Sequence, residues 1–307
     1  MNTIGFDTSN YTTSIACFDG KIGTNCSQLL PVKAGELGLR QSDAVFAHIK
    51  SLPELSGRLF SNVNITDVSA IGVSTSPRAV EGSYMPCFMV GYTHAKMLAD
   101  ALHKPLITCS HQQGHVAAAL WSADRLDLMD QPHLAWHLSG GTTELLLIEP
   151  DCKNVRCKRI GGTTDISAGQ LIDRAGKMLN LPFPSGKHLD ELSRQCNCDD
   201  LFRVKCPEME FSFSGLENKA QQYYASGHTS AQTAAFVLNS IANAVYKATE
   251  NALRCYQGYE VVFSGGVASN SMLRSIMAPL KPVFADPKYS TDNAMGVAVL
   301  AHRMTEE

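Results

Sequence analysis

TIGFDTSNYTTSIAC, residues 3–17, sets Ile4 and Phe6 before the polar run Asp7-Thr8-Ser9-Asn10-Tyr11-Thr12-Thr13 and Ile15 and Cys17 after it, and so reads as strand, turn, strand. The order returns at residues 134–148: Leu134-Ala135-Trp136-His137-Leu138, then Ser139-Gly140-Gly141-Thr142-Thr143, then Glu144-Leu145-Leu146-Leu147-Ile148. Each half therefore opens with a hairpin carrying a small polar turn, which predicts a duplication. Further short β-rich runs lie at residues 70–74, 106–109 and 260–264. Helical spacing is clearest over residues 231–255, where Leu238, Ile241, Val245, Ala248 and Ala252 recur every three or four positions. Ser167-Ala168-Gly169-Gln170 fits a capping box and predicts a helix from Ala168. Strands alternating with helices predict a duplicated α/β architecture with a cleft between its halves. The expected lobes are residues 1–129 and 130–307, with the last helix packing back on the first lobe.

The 307 residues, 44% hydrophobic and 18% charged, suffice for two cores and exclude wholesale disorder. A balance of 26 basic against 29 acidic residues, net -3, leaves no chain-wide positive field for nucleic acid, so such a partner needs a local patch or a helper subunit. Ten cysteines are scattered without a secretory leader, which predicts reduced thiols and a cytoplasmic location. The most apolar stretch, residues 85–92, is far short of a membrane span. Cys196, Cys198 and Cys206, and the pair Cys152 and Cys157, lack the paired spacing of a structural zinc site.

Three segments could carry chemistry. Ser139-Gly140-Gly141-Thr142-Thr143 is either a phosphate cradle, its glycines letting backbone N–H groups approach an anion, or a plain glycine hairpin turn. Ser264-Gly265-Gly266-Val267-Ala268-Ser269-Asn270 follows a strand and leads into a helix near Met272, a second place for an anion or a base. Neither matches the P-loop or Rossmann signature. His111-Gln112-Gln113-Gly114-His115 puts two imidazoles on one face of a helix, half of a metal site. Gln112 stands where a zinc protease needs glutamate, which disfavours proteolysis. Asp292 in Ser290-Thr291-Asp292-Asn293-Ala294 is either the cap of the following helix or the third ligand.

With DISAGQLIDRAGKMLNL (residues 165–181) and Phe211-Ser212-Phe213-Ser214-Gly215-Leu216, these segments form an ordered set over residues 4–301. The set resembles the tRNA threonylcarbamoyladenosine transferase family, also called glycoprotease or O-sialoglycoprotein endopeptidase. The resemblance implies two RNase H-like lobes of the actin, sugar kinase and Hsp70 superfamily. It implies one iron or zinc ion on His111, His115 and Asp292, with no catalytic residue beyond the metal site. ATP or threonylcarbamoyl-adenylate would be bound through His137, Leu138, Ser139, Gly140, Gly141, Thr142, Asp173, Gly186, Asp190, Gly265, Gly266 and Asn270. The implied reaction moves threonylcarbamoyl from the adenylate to the exocyclic amine of the adenosine beside the tRNA anticodon. The implied partners are a smaller actin-like paralogous subunit and an ATPase subunit, or a kinase-like subunit in archaea and eukaryotes. Residues 85–97 offer a helical face either for such a partner or for the sheet of their own lobe.

The chain departs from the family pattern around the expected ligand. Thr142 replaces the histidine of Ser-Gly-Gly-His-Thr, and Asn10-Tyr11 replace an acidic pair. Phe183-Pro184-Ser185-Gly186-Lys187 replaces Tyr-Pro-Gly-Gly-Pro, and Ser76-Pro77-Arg78-Ala79-Val80 replaces a Gly-Pro-Gly-Leu segment. These changes mark a divergent paralogue. They leave open a metal- and nucleotide-binding carbamoyl or phosphoryl transferase for another acceptor, or a non-catalytic nucleotide-binding subunit.

Overall fold

A computed structural model describes residues 1–31 and 39–306. The chain begins with β1 (Asn2–Thr8), β2 (Thr12–Phe18) and β3 (Gly23–Leu29), then α1 (Gln41–Phe60), β4 (Val68–Ser76), α2 (Phe88–Leu102), β5 (Leu106–Ser110) and α3 (His111–Ser122). It continues through β6 (His133–Leu138), β7 (Thr143–Asp151), β8 (Asn154–Thr163), α4 (Ala168–Met178), α5 (Gly186–Ser193), β9 (Glu210–Phe211), α6 (Ser214–Ala225) and α7 (Ser230–Cys255). β10 (Val261–Ser264), α8 (Ser271–Met277), β11 (Val283–Phe284) and α9 (Met295–Thr305) complete it. The two sheets carry the orders β3-β2-β1-β4-β5 and β11-β10-β6-β7-β8-β9. Read as β8-β7-β6-β10-β11, the second repeats the first, with β9 added at its edge. In each, the opening hairpin is antiparallel, and a later strand, β4 or β10, joins its first strand in parallel.

Contacts divide the chain into two compact units: residues 1–131, 149–157 and 292–307, and residues 132–148 and 158–291. The first boundary lies at 131/132, beside the expected cut at 129/130. The distal ends of β7 and β8, and α9, join the first unit because domain membership follows packing rather than chain order.

In the first unit α1 and α2 cover the sheet face of Ile4, Phe6, Ile15, Ile71 and Val73. On the opposite face Gly5 and Gly72 admit α9, since a Cβ on Gly5 would stand 2.6 Å from the Ala294 carbonyl oxygen. Gly114 of α3 and Gly296 of α9 let those helices meet backbone to backbone. α2 buries Phe88, Val90, Ala95 and Ala99 and leaves Met89 and Met97 exposed, so residues 85–97 both pack inward and present an outer edge.

In the second unit Leu134, Trp136, Leu138, Leu145 and Leu147 face one continuous core. The stripe from Leu238 to Ala252 runs along α7 into that core, and Thr229 and Gln232 cap α7 reciprocally. Ser167 and Gln170 do the same for α4.

Candidate functional site

His111 and His115 stand on the first turns of α3, which Ser110 and Gln113 open with a capping box. Asp292 precedes α9, and the backbone-close packing of α9 on α3 brings its carboxylate over those turns. The cap of α9 falls elsewhere: Ala294 is the N-cap residue and Asn293 Oδ1 accepts from Met295 N–H. Asp292 is thereby left to the histidines. Its Oδ1 lies 3.2 Å from His115 Nε2 and 3.5 Å from His111 Nε2, and the two Nε2 atoms are 2.9 Å apart. Ligand atoms each about 2.0–2.2 Å from one ion, at tetrahedral to octahedral angles, lie about 2.8–3.6 Å from one another. The three donors fit one ion. Among the described residues they are the only such group, and the cysteines form none.

Electrostatics agree. Burial alone would lower the His111 pKa, but the charges of Asp7 and Asp292 and their hydrogen bonds hold it well above the ordinary imidazole value. Burial alone would raise that of Asp292, but hydrogen bonds from His111 and His115 hold it well below the carboxylate range. Two carboxylates flanking two imidazoles favour positive charge at the shared Nε2 edge. The sequence reading of a mere polar turn missed Asp7 and Ser9. Asp7, next to last in the buried strand β1, accepts from His111 Nδ1–H at 2.9 Å, and Ser9 donates to Asp292 Oδ2 at 3.0 Å. An aspartate inside an otherwise uncharged strand was the available signal.

The second unit gathers the other candidates on adjoining elements. Ser139 N–H donates to the Thr142 carbonyl and Thr142 N–H to Ser139 Oγ, closing the turn between β6 and β7. Ser167 Oγ donates to the Gly140 carbonyl at 2.6 Å, and Gly169 packs directly under Gly140, so the turn rests on the start of α4. Gly265, at φ +94°, abuts the Leu138 backbone and joins the two glycine turns. Asn270 caps α8 through its Oδ1 and donates from Nδ2 to Asp190 Oδ1 at 2.9 Å. Ser271 adds two more donors to the same oxygen. Asp173 of α4 accepts from Ser185 N–H at 2.8 Å beside Gly186, and burial raises its pKa. A Cβ on Gly140, Gly141, Gly186 or Gly266 would meet no atom within 4 Å. Backbone N–H groups at such turns suit an anion.

Two candidates stand apart. Leu138 is fully buried in the core, so its backbone alone is available at the turn. His137 pairs in register with Glu144 and Ser264, one position before Leu138. Asp165 is engaged structurally: it accepts from the Ser212 and Ser214 hydroxyls, from Phe213 N–H at 2.8 Å and from Ser214 N–H at 3.1 Å. The carboxylate thus staples residues 212–214 to the segment before α4.

A sequence model of the family described as tRNA N6-adenosine threonylcarbamoyltransferase matches residues 37–299. A protein of that name from Thermosipho africanus is 28% identical over 99% of this chain and 94% of its own length. Another from Sphingopyxis alaskensis is 32% identical over 83% of this chain and 75% of its own. Among solved structures, full-length HypF in its phosphate- and nucleotide-bound form superposes with a TM-score of 0.63 at 15% identity, over all of this chain and 47% of that one. A ROK hexokinase from Thermus thermophilus gives 0.51 at 15% identity over the whole of both chains. At such identities the likeness carries the fold alone, a two-lobed ATPase fold like that of actin, sugar kinases and Hsp70. The sequence matches carry more: the chain belongs to the tRNA N6-adenosine threonylcarbamoyltransferase family.

Proposed function

We propose that the chain transfers a threonylcarbamoyl group from threonylcarbamoyl-adenylate to the N6 amine of an adenosine in tRNA, beside the anticodon. The observation that carries this reading is the His111, His115 and Asp292 donor set, assembled in a member of that family from segments 177 residues apart. In the reaction N6 attacks the carbamoyl carbon, a C–N bond forms, the C–O bond to phosphate breaks, AMP leaves with the electron pair, and N6 loses a proton. A divalent iron or zinc ion on the donor set would polarise carbonyl and phosphoryl oxygens and stabilise the charge that develops as AMP departs. In the second unit, backbone N–H groups of Gly140, Gly141 and residues 265–266 would take the phosphate. Asp173, Gly186, Asp190 and Asn270 would position the nucleoside, with ATP as an alternative ligand.

With net charge -3, the chain would act on tRNA inside a complex with a smaller actin-like paralogous subunit and an ATPase subunit, and exposed Met89 and Met97 of α2 offer an apolar contact. Ten free thiols fit a reducing, cytoplasmic setting, and no described helix is long and apolar enough to cross a membrane. Thr142 at the phosphate turn favours one second reading, transfer to another acceptor.

The test is reconstitution with labelled threonine, bicarbonate, ATP, an adenylate-making enzyme, the partner subunits and unmodified tRNA. Label in tRNA that depends on this chain supports the reading. Consumption of the adenylate with no label in tRNA supports the second.

A further inference from the structure

The β1–β2 hairpin touches the donor set at two points, through groups not themselves among the three donors. Asp7, fully buried, presents Oδ1 to His111 Nδ1–H at 2.9 Å and takes a second hydrogen bond there from Ser74 Oγ. With the Nδ1 proton committed to Asp7, Nε2 is the atom that would offer its lone pair to an ion shared with Asp292 and His115. Ser9, also buried, donates to Asp292 Oδ2 at 3.0 Å, which turns Oδ1 toward the histidines. The neighbouring strands hold the same segment: Ala294 N–H donates to Ser14 Oγ of β2 at 2.8 Å and to Asn25 Oδ1 of β3 at 3.1 Å. Asp7 Oδ2 is buried with no hydrogen-bond partner. A buried carboxylate left half satisfied is costly, and a cation on the far side of the imidazole it contacts would offset part of that cost.

We propose that Asp7 and Ser9 are positioning residues of a metal centre, Asp7 fixing the tautomer, orientation and basicity of His111 and Ser9 fixing which oxygen Asp292 offers. The inference rests on the donor set being a metal site. A carboxylate behind a ligating imidazole raises the basicity of the ligand, and losing such a partner typically weakens metal binding about 10- to 100-fold. Ser9 contributes one neutral hydrogen bond, so its loss should cost less than that of Asp7.

The test measures Zn2+ affinity by chelator competition and the visible spectrum of the Co2+-loaded protein, for wild type, Asp7→Asn, Ser9→Ala and His115→Ala. Melting of each metal-free protein serves as the check on folding. Zn2+ affinity should fall about 10- to 100-fold in Asp7→Asn and less in Ser9→Ala, and the Co2+ spectrum of Asp7→Asn should shift. Wild-type affinity and spectrum in both variants, with His115→Ala still losing the metal, would overturn the inference alone. Failure of the wild type to bind either ion would overturn the metal reading together with it. If Asp7→Asn does not fold, an unchanged affinity and spectrum in Ser9→Ala contradicts the role of the hairpin.

Discussion

The donor set of the first unit and the glycine turns of the second are built from opposite materials. His111, His115 and Asp292 act through side chains whose atoms lie within 4.8 Å of one another, backed by the buried carboxylate of Asp7. Residues 139–142 and 264–270 offer mainly backbone, and around Gly140, Gly141 and Gly266 an added Cβ would find open space. A site made of side chains is lost when one donor changes. A site made of backbone tolerates changes of residue and fails when volume or charge enters it. Thr142, where the family resemblance implies a histidine, stands in the backbone-built turn, while the three side-chain donors are those the resemblance implies.

Removing a donor should give the largest effect. His115→Ala and Asp292→Ala are expected to lose the metal on purification, with transfer to tRNA falling by about 100-fold or more and melting of the metal-free protein little changed. Elemental analysis of both variants checks this, and full retention of metal in both would break the comparison at its first term. Gly141→Asp should sharpen the second term. The added side chain enters open space, so folding and metal content should stay as in wild type, while the like charge weakens AMP binding by roughly 10- to 100-fold in calorimetry. Equal AMP affinity would put the phosphate elsewhere.

Much of the fold was legible because hairpins and helix stripes are local patterns. Residues 3–17 and 134–148 announced the duplication, and Ser167 to Gln170 announced α4. The donor set was legible in part: the i, i+4 spacing of the histidines is a one-turn feature, whereas Asp292 reaches them only because Gly114 and Gly296 let α3 and α9 meet. Asp7 and Ser9 escaped notice for the same reason, their partners being 104 and 283 residues away. Asp165 and residues 212–214 were recognised as segments, but their hydrogen bonds appear only once β9 and the start of α6 lie beside the loop before α4. The domain limits depended on where the distal ends of β7 and β8 pack, which no stretch of sequence encodes by itself.

A smaller effect should mark the staple in the second unit. Burial opposes ionisation of Asp165, but hydrogen bonds from Ser212, Ser214 and Phe213 outweigh it and hold the carboxyl well below its ordinary 3.8. A depressed folded-state value gives stability that is fully present above the unfolded value and is lost as pH falls through the folded one. Asp165→Asn should therefore lower stability at pH 7 by on the order of 1 kcal/mol, after discounting for solvent exposure, and the gap should narrow toward pH 2. Denaturant melts at both pH values decide it, and an equal gap at both would contradict the assignment. The smallest signal is expected from tRNA alone. With net charge -3, the isolated chain should bind it with a dissociation constant above about 10 μM at physiological salt in gel-shift titrations, and tight binding would reveal a basic patch that outweighs the net charge.

The most direct test of the proposed function supplies the acyl donor itself. Presynthesised threonylcarbamoyl-adenylate is mixed with the chain, its partner subunits and unmodified tRNA, and the tRNA nucleosides are resolved by mass spectrometry in a single turnover. Wild type should convert the adenosine beside the anticodon to its N6-threonylcarbamoyl form with release of AMP, and His115→Ala should not. Unmodified tRNA with the wild-type chain, or equal conversion by His115→Ala, would contradict the account.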